Sequence, residues 1–312
     1  MTPTPPFTGP TASDRERALA TLGTDDAEHT IAATAQFLDL DGIYRPQPGQ
    51  SFAEHRESIR LGAPWESPTA VDDEIAGVPV RRLAPADGAP LGMYLHLHGG
   101  GWSLGSHRSS DARLQPLADE TGLEVISVGY RLAPEHPYPA PIDDVLAVAT
   151  ALAGRYPVAA IGGESAGAHL AALALQRLAA AGGQYFDAAL LIYGCFDVAL
   201  TPDSTSSGVA QDLFLPDVPR TARRDPRYSP LFGDLRQMPP ARFVVGTRDA
   251  LLSDTLMMAA RWQLFAPAEV EVVCGAAHAF TLLDIPAAEQ ALAGDRRFLA
   301  AAQLRQRSAG IR

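Results

Sequence analysis

From Val78 onward the chain alternates short apolar runs with longer amphipathic ones, and this alternation constrains the fold more than any other feature. Val78-Pro-Val-Arg-Arg-Leu83 and Met93-Tyr-Leu-His-Leu97 follow a period of two. Val125–Val128, Val158–Ile161, Ala188–Ile192, Phe243–Val245 and Val270–Val273 are short and mostly apolar. Helical spacing fills Ile142–Leu152, Ala166–Ala181, Leu251–Phe265 and Ala288–Gln303. Strands separated by helices need right-handed crossovers, so the pattern predicts an α/β fold whose largely parallel sheet is covered on both faces.

Two regions depart from that rhythm. Before Pro64-Trp65 the chain reads as short helices: Ser13-Asp-Arg-Glu16 and Ser51-Phe-Ala-Glu54 have capping-box spacing, and Asp25–Leu40 carries a broken stripe of Ile31, Phe37 and Leu38. From Val198 to Pro240 the sequence is rich in Pro, Ser, Asp and Arg without a sustained period. A loop that long inside a compact domain is usually functional, often part of a lid.

Composition removes several chemistries. A net charge of −11 disfavours nucleic acid or an anionic membrane as partner. The run Arg220-Thr-Ala-Arg-Arg-Asp-Pro-Arg227 is broken by acid and proline and reads as solvated surface. All 25 basic residues are Arg, and Asn is absent too. Schiff-base chemistry, a P-loop Lys, a Ser-Lys dyad and an Asn oxyanion donor are therefore excluded. The two cysteines, Cys195 and Cys274, end apolar runs and read as buried free thiols. No Cys/His/Asp/Glu cluster has metal-site spacing, so neither metal nor cofactor is expected. The Met-Thr-Pro-Thr-Pro-Pro-Phe start has no signal-peptide pattern and no run is long enough to span a bilayer, so a cytoplasmic protein is expected.

The chemistry gathers around Gly163-Glu-Ser-Ala-Gly167, a G-x-S-x-G placed after a strand and before an Ala/Leu-rich helix. In that context the turn is sharp enough that only small residues flank the Ser, whose hydroxyl is held above the sheet. His98-Gly-Gly-Gly-Trp102 directly follows the Met93–Leu97 strand. Its consecutive glycines let the backbone of Gly99, Gly100 and Gly101, with the N–H of Ala166, face a developing oxyanion. Of the eight histidines, His278 in Gly275-Ala-Ala-His-Ala-Phe280 follows the last strand and is the candidate base. Asp249 follows the preceding strand and is the candidate carboxylate, with Asp254, deeper in the next helix, as runner-up. The order Ser165, Asp249, His278 is that of α/β-hydrolases. His96, His98, His136 and His169 read as packing or loop-shaping residues, although His169 shares the Ser165 face of its helix.

These segments, together with Tyr130-Arg-Leu-Ala-Pro-Glu-His-Pro137, Gly105-Ser106, Ser229-Pro-Leu231 and Pro239-Pro240, resemble the hormone-sensitive-lipase-like branch of the α/β-hydrolases, which contains many bacterial carboxylesterases. The resemblance covers roughly residue 70 to the C-terminus. It implies an α/β-hydrolase fold: an eight-stranded, mostly parallel sheet with helices on both faces and a helical cap. The cap would combine residues 1–65 with an insertion at about 198–226, leaving 66–312 as the catalytic domain. It further implies Ser165 as nucleophile, His278 as base, Asp249 as its partner, and Gly99–Gly101 with Ala166 as oxyanion hole. The expected activity is hydrolysis of short-chain or aryl carboxylic esters, small-molecule substrates, without a cofactor; amide, lactone and acyl-transfer chemistry, a non-catalytic binding module and homo-oligomerisation stay open. Glu164, Ala168-His169, Ala250 and Ala279 depart from the family's usual Asp, Gly-Asn, Pro and Gly.

Overall fold

A computed structural model of the 312-residue chain describes residues 24–35, 41–59, 61, 65–202 and 204–309. The capping box at Ser13, the apolar positions Phe37 and Leu38, and Pro64 lie outside the described residues. In chain order the regular elements begin with α1 (Thr24–Thr34), α2 (Phe52–Ser58), β1 (Val71–Ile75), β2 (Val78–Leu83) and β3 (Gly92–Leu97). Then come α3 (Asp111–Thr121), β4 (Leu123–Val128), α4 (Ala140–Leu152), β5 (Ala159–Glu164), α5 (Ala166–Ala180) and β6 (Ala188–Ile192). The chain closes with α6 (Val209–Phe214), β7 (Ala241–Gly246), α7 (Leu252–Trp262), β8 (Ala268–Val273) and α8 (Pro286–Ala309).

The strands form one eight-stranded sheet in the order β1-β2-β4-β3-β5-β6-β7-β8. β2 runs antiparallel to both of its neighbours, and the remaining pairings are parallel. One face packs against α4, α5 and α7 through residues such as Ile142, Leu170, Met258 and Trp262. The other packs against α3 and α8 through Leu114, Leu117, Phe298 and Leu299. Each fully buried side chain of this size contributes roughly 1.5–3 kcal/mol relative to exposure, so the two faces anchor the sheet. The carboxyl ends of the seven strands other than β2 point one way, and the loops leaving β3, β5, β7 and β8 share that edge.

Outside the aperiodic stretch, two elements escaped the sequence reading. β1 is Val-Asp-Asp-Glu-Ile, largely exposed at the sheet edge, so no buried face marks it. α3 contains Pro116, whose missing N–H and bulky ring ordinarily argue against a helix interior. α7 ends at Trp262, short of Phe265, whereas α8 runs beyond Gln303. The aperiodic stretch holds α6 and the 3-10 turns Arg220–Ala222 and Pro230–Phe232. One basic residue of that stretch is not surface: Arg223 is buried, donating to the Val218 carbonyl at 2.9 Å and pairing with Asp212 at 2.7 Å. Five donors in a planar fork let it satisfy several buried acceptors at once.

Candidate active site

Ser165 sits between β5 and α5 with φ 54° and ψ −114°, a conformation a non-glycine residue rarely adopts. Its neighbours show why the sequence needs glycines here. A Cβ added at Gly163 would fall 1.9 Å from the Leu97 carbonyl oxygen, and one added at Gly167 would fall 1.8 Å from it. The turn is thus pressed against the end of β3, and close approach rather than left-handed backbone explains both glycines. Pairing of Leu97 with Gly163 in the parallel ladder fixes that contact and sets the His98–Trp102 loop beside the serine.

The loops after β7 and β8 complete the constellation. Nε2 of His278 lies 2.9 Å from Ser165 Oγ, and Nδ1 lies 2.9 and 3.0 Å from the two Asp249 oxygens. An ionised carboxylate only accepts, so Nδ1–H donates to Asp249 and Nε2 is free to accept the serine proton. Asp249 also accepts the Leu251 N–H at 2.8 Å. The His278 loop is tied to its surroundings by Arg248 N–H to the Ala276 carbonyl and by Gly275 N–H to Thr247 Oγ1. Ala277 N–H reaches Thr34 Oγ1 on α1, and the Tyr193 ring lies 4.8 Å from the imidazole. Asp254, the runner-up, is occupied elsewhere: it accepts the Phe196 N–H at 2.6 Å and the Asp197 N–H at 3.0 Å. Burial pushes its carboxyl up to about 7 despite those two donors.

Gly99 and Gly100 line the cavity beside Ser165, and the space a Cβ of Gly101 would take is filled by Tyr44 and Ala210, each within 2.8 Å of it. Gly100 and Gly101 have φ of 110° and 58°, which glycine adopts without strain. Ala166, the first residue of α5, is buried directly after the serine. His98 shapes this loop. Its Nδ1 lies 2.8 Å from the Gly99 carbonyl, the Tyr130 hydroxyl donates to the His98 carbonyl at 2.7 Å, and the two rings stack at 4.2 Å. Burial pushes the His98 imidazole down to about 3, so it is neutral and Nδ1–H is the donor.

His169 has more than a packing role. Its Nδ1 accepts the Trp102 indole N–H at 3.1 Å, and Nε2–H donates to the Tyr228 carbonyl at 2.7 Å. It therefore joins the glycine loop, α5 and the stretch after β6, with the Phe214 ring stacked on Trp102 at 4.5 Å. His136 is exposed. His96 belongs to a network the sequence did not reveal: it bonds Ser127 at 2.9 Å and Glu164 at 3.1 Å, and Arg113 on α3 pairs with Glu164 at 2.5 Å. Burial alone would raise the Glu164 carboxyl, but Arg113 and His96 hold it well below the usual carboxylate range. With α3 unread, no partner for Glu164 was legible.

The cavity at Ser165, about 60 Å³, is lined by Ile43, Tyr44 and Leu61 from the segments before residue 65 and by Leu282 from the loop after β8. Among the described residues no group of His, Cys, Asp and Glu side chains is arranged to hold a metal ion, and no helix is long and apolar enough to cross a membrane. Cys195 and Cys274 are free; Cys195 is buried and Cys274 only partly so, unlike the expectation of two buried thiols.

Residues 94–282 match a family described as having the alpha/beta hydrolase fold. An acetyl-hydrolase of Streptomyces hygroscopicus is 37% identical over 189 residues, 55% of this chain and 61% of that protein. An esterase of Acinetobacter venetianus is 36% identical over 177 residues, 52% of this chain and 58% of that protein. The match thus spans little more than half the length of these relatives. A solved esterase from the bacterial hormone-sensitive lipase family superposes with a TM-score of 0.75 at 25% identity, covering 90% of this chain and 99% of that one. Strand order, the sharp serine turn and these likenesses agree: the chain belongs to the α/β-hydrolase fold family, on its hormone-sensitive-lipase-like branch.

Proposed function

We propose that the protein is a serine carboxylic-ester hydrolase acting through an acyl-enzyme on short-chain or aryl esters. The observation that carries this reading is the unbroken line from Asp249 through His278 to Ser165, with every heavy-atom spacing near 3 Å. Ser165 Oγ attacks the ester carbonyl carbon as its proton passes to His278 Nε2. The carbonyl π-electrons move to oxygen, and Asp249 steadies the imidazolium. Backbone N–H groups of the Gly99–Gly101 loop and of Ala166 face the oxyanion, each such donor contributing roughly 3–4 kcal/mol to the barrier reduction. His278 returns its proton to the alcohol oxygen as the C–O bond breaks. Water then gives a proton to His278 and attacks the acyl-enzyme, and Ser165 leaves with that proton. No step calls for a cofactor.

The helices before residue 65 and the insertion at about 198–226 act as a cap, with Ile43, Tyr44 and Leu61 as its roof. In support, those three residues line the cavity, and Tyr44 and Ala210 meet at Gly101. The narrow, largely apolar cavity favours short acyl chains over emulsified fat. The esters hydrolysed by the relatives above point to the same substrate class. Two measurements test the proposal. A fluorophosphonate probe should label Ser165, and a p-nitrophenyl ester series should turn over faster than matched anilides and lactones. Labelling elsewhere, or preference for the anilides, overturns it.

A further inference from the structure

Helix α2 lies outside the catalytic constellation, yet two of its side chains reach the site from different directions. His55, buried, has Nε2 2.7 Å from the Ile43 carbonyl and so ties down the 3-10 turn Asp41–Tyr44 that carries Ile43 and Tyr44. Arg56 reaches the opposite way. Its Nε donates to the Ser103 carbonyl at 2.7 Å, and its Nη2 donates to the Ala133 carbonyl at 2.9 Å and to Glu135 at 2.6 Å. Ser103 is fully buried, so its carbonyl needs that donor: a buried acceptor left unpaired costs about 1–3 kcal/mol.

The Ser103 carbonyl is one end of a peptide unit whose other end is the Leu104 N–H, and that N–H donates to the Gly100 carbonyl at 2.8 Å. The Gly100 carbonyl in turn shares its rigid plane with the Gly101 N–H. A cationic guanidinium therefore stands at the head of two peptide units hydrogen-bonded in series, ending on a donor of the glycine loop. The Ser103 N–H adds a second bond to the same Gly100 carbonyl at 3.1 Å. Each bond orients the next plane, and hydrogen bonds in a chain polarise one another in the same direction. Held by a charge, the last N–H is both aimed and made a stronger donor. The His98 ring does the parallel task one residue earlier, through the Gly99 carbonyl and thus the Gly100 N–H.

We infer that Arg56 is a positioning residue for the oxyanion hole, acting on the Gly101 N–H through the Ser103–Leu104 and Gly100–Gly101 peptide units. The inference rests on the ester-hydrolase reading.

Its test compares Arg56→Ala, Arg56→Lys and Glu135→Gln with the unaltered chain on p-nitrophenyl butyrate, with butylboronic acid as a tetrahedral mimic. Because one oxyanion donor is worth about 10²–10³ in rate and Arg56 only aims it, Arg56→Ala should lower kcat by roughly 10- to 50-fold. The boronate inhibition constant should rise in parallel, while KM changes by less than about threefold. Millimolar guanidinium should restore part of the kcat. Arg56→Lys keeps the charge but loses the fork that spans two carbonyls, so it should recover only part of the loss. Glu135→Gln removes the ion pair and leaves the relay, so its kcat should stay within about threefold of the unaltered chain.

The inference is overturned if Arg56→Ala leaves kcat and boronate affinity unchanged. It is equally overturned if Glu135→Gln loses as much as Arg56→Ala, or if the loss accompanies a lowered melting temperature and ignores guanidinium. Failure of the unaltered chain to bind fluorophosphonate at Ser165 would instead strike the ester-hydrolase reading itself.

Discussion

Around Ser165 the backbone is fixed by contacts so short that no side chain fits between them, whereas the roof of Ile43, Tyr44 and Leu61 hangs on a few side-chain hydrogen bonds. The serine turn is wedged between the Leu97 carbonyl, the Ile192 carbonyl that accepts its N–H, and the first turn of α5. The roof is held by His55 to the Ile43 carbonyl, by Tyr44 against Gly101, and by the Arg56 fork on neighbouring loops. Dense packing has two discrete answers to a change, tolerance or collapse; a roof on polar tethers can adjust by degrees. On the proposed reading, the reacting groups stand on the sheet edge and the residues that would select substrate stand on the segments before residue 65.

Five substitutions separate those two behaviours. The largest effect belongs to the constellation: Ser165→Ala should reduce kcat at least about 10,000-fold and Asp249→Asn by roughly 1,000- to 10,000-fold. Melting temperatures should stay near that of the unaltered chain, as steady-state kinetics and calorimetry would show. Next is Gly167→Ala, which drives a methyl to 1.8 Å from the Leu97 oxygen. Overpacking of that severity should cost about 3 kcal/mol in denaturant unfolding and carry activity down with it. A variant of normal stability would refute the wedge.

The third prediction concerns the seam between the two regions. Burial pushes His169 down to about 4, whereas an unfolded imidazole titrates near 6.5. Between those values the unfolded state binds the extra proton, so stability is complete above about pH 6.5 and is lost as pH falls toward 4. The loss is on the order of 3 kcal/mol. His169→Gln keeps one donor and one acceptor and should flatten the unfolding free energy across that window. An unchanged slope would place the acid sensitivity elsewhere. The smallest effect is expected in the roof: Tyr44→Ala should favour longer acyl chains over butyrate by about fivefold in kcat/KM, the equivalent of roughly 1 kcal/mol of apolar contact. An unchanged chain-length profile would mean that Tyr44 does not limit the cavity.

The comparison also separates what is legible in sequence from what is not. The strands β2 to β8, the helices α4, α5, α7 and α8 and the capping box of α2 carry their signals within a few residues, because periodicity and caps are local. β1 and α3 do not: an exposed edge strand has no apolar face, and Pro116 masks a helix that packing stabilises regardless. With α3 went Arg113, and with it the buried partner of Glu164. Arg223 misled for a similar reason, since a charged run is written the same way whether water or buried carbonyls receive it.

The sequence by itself determined the α/β class, the serine turn, the glycine loop and the order in which Ser165, Asp249 and His278 are met along the chain. All are encoded by residue types that local geometry demands. Only the tertiary structure decided that His278 lies 2.9 Å from Ser165, that Asp249 rather than Asp254 bonds it, and that Arg56 donates to the Ser103 carbonyl. Those facts depend on bonds between residues far apart in the chain, whose partners are fixed by how the sheet edge packs rather than by any neighbour in sequence.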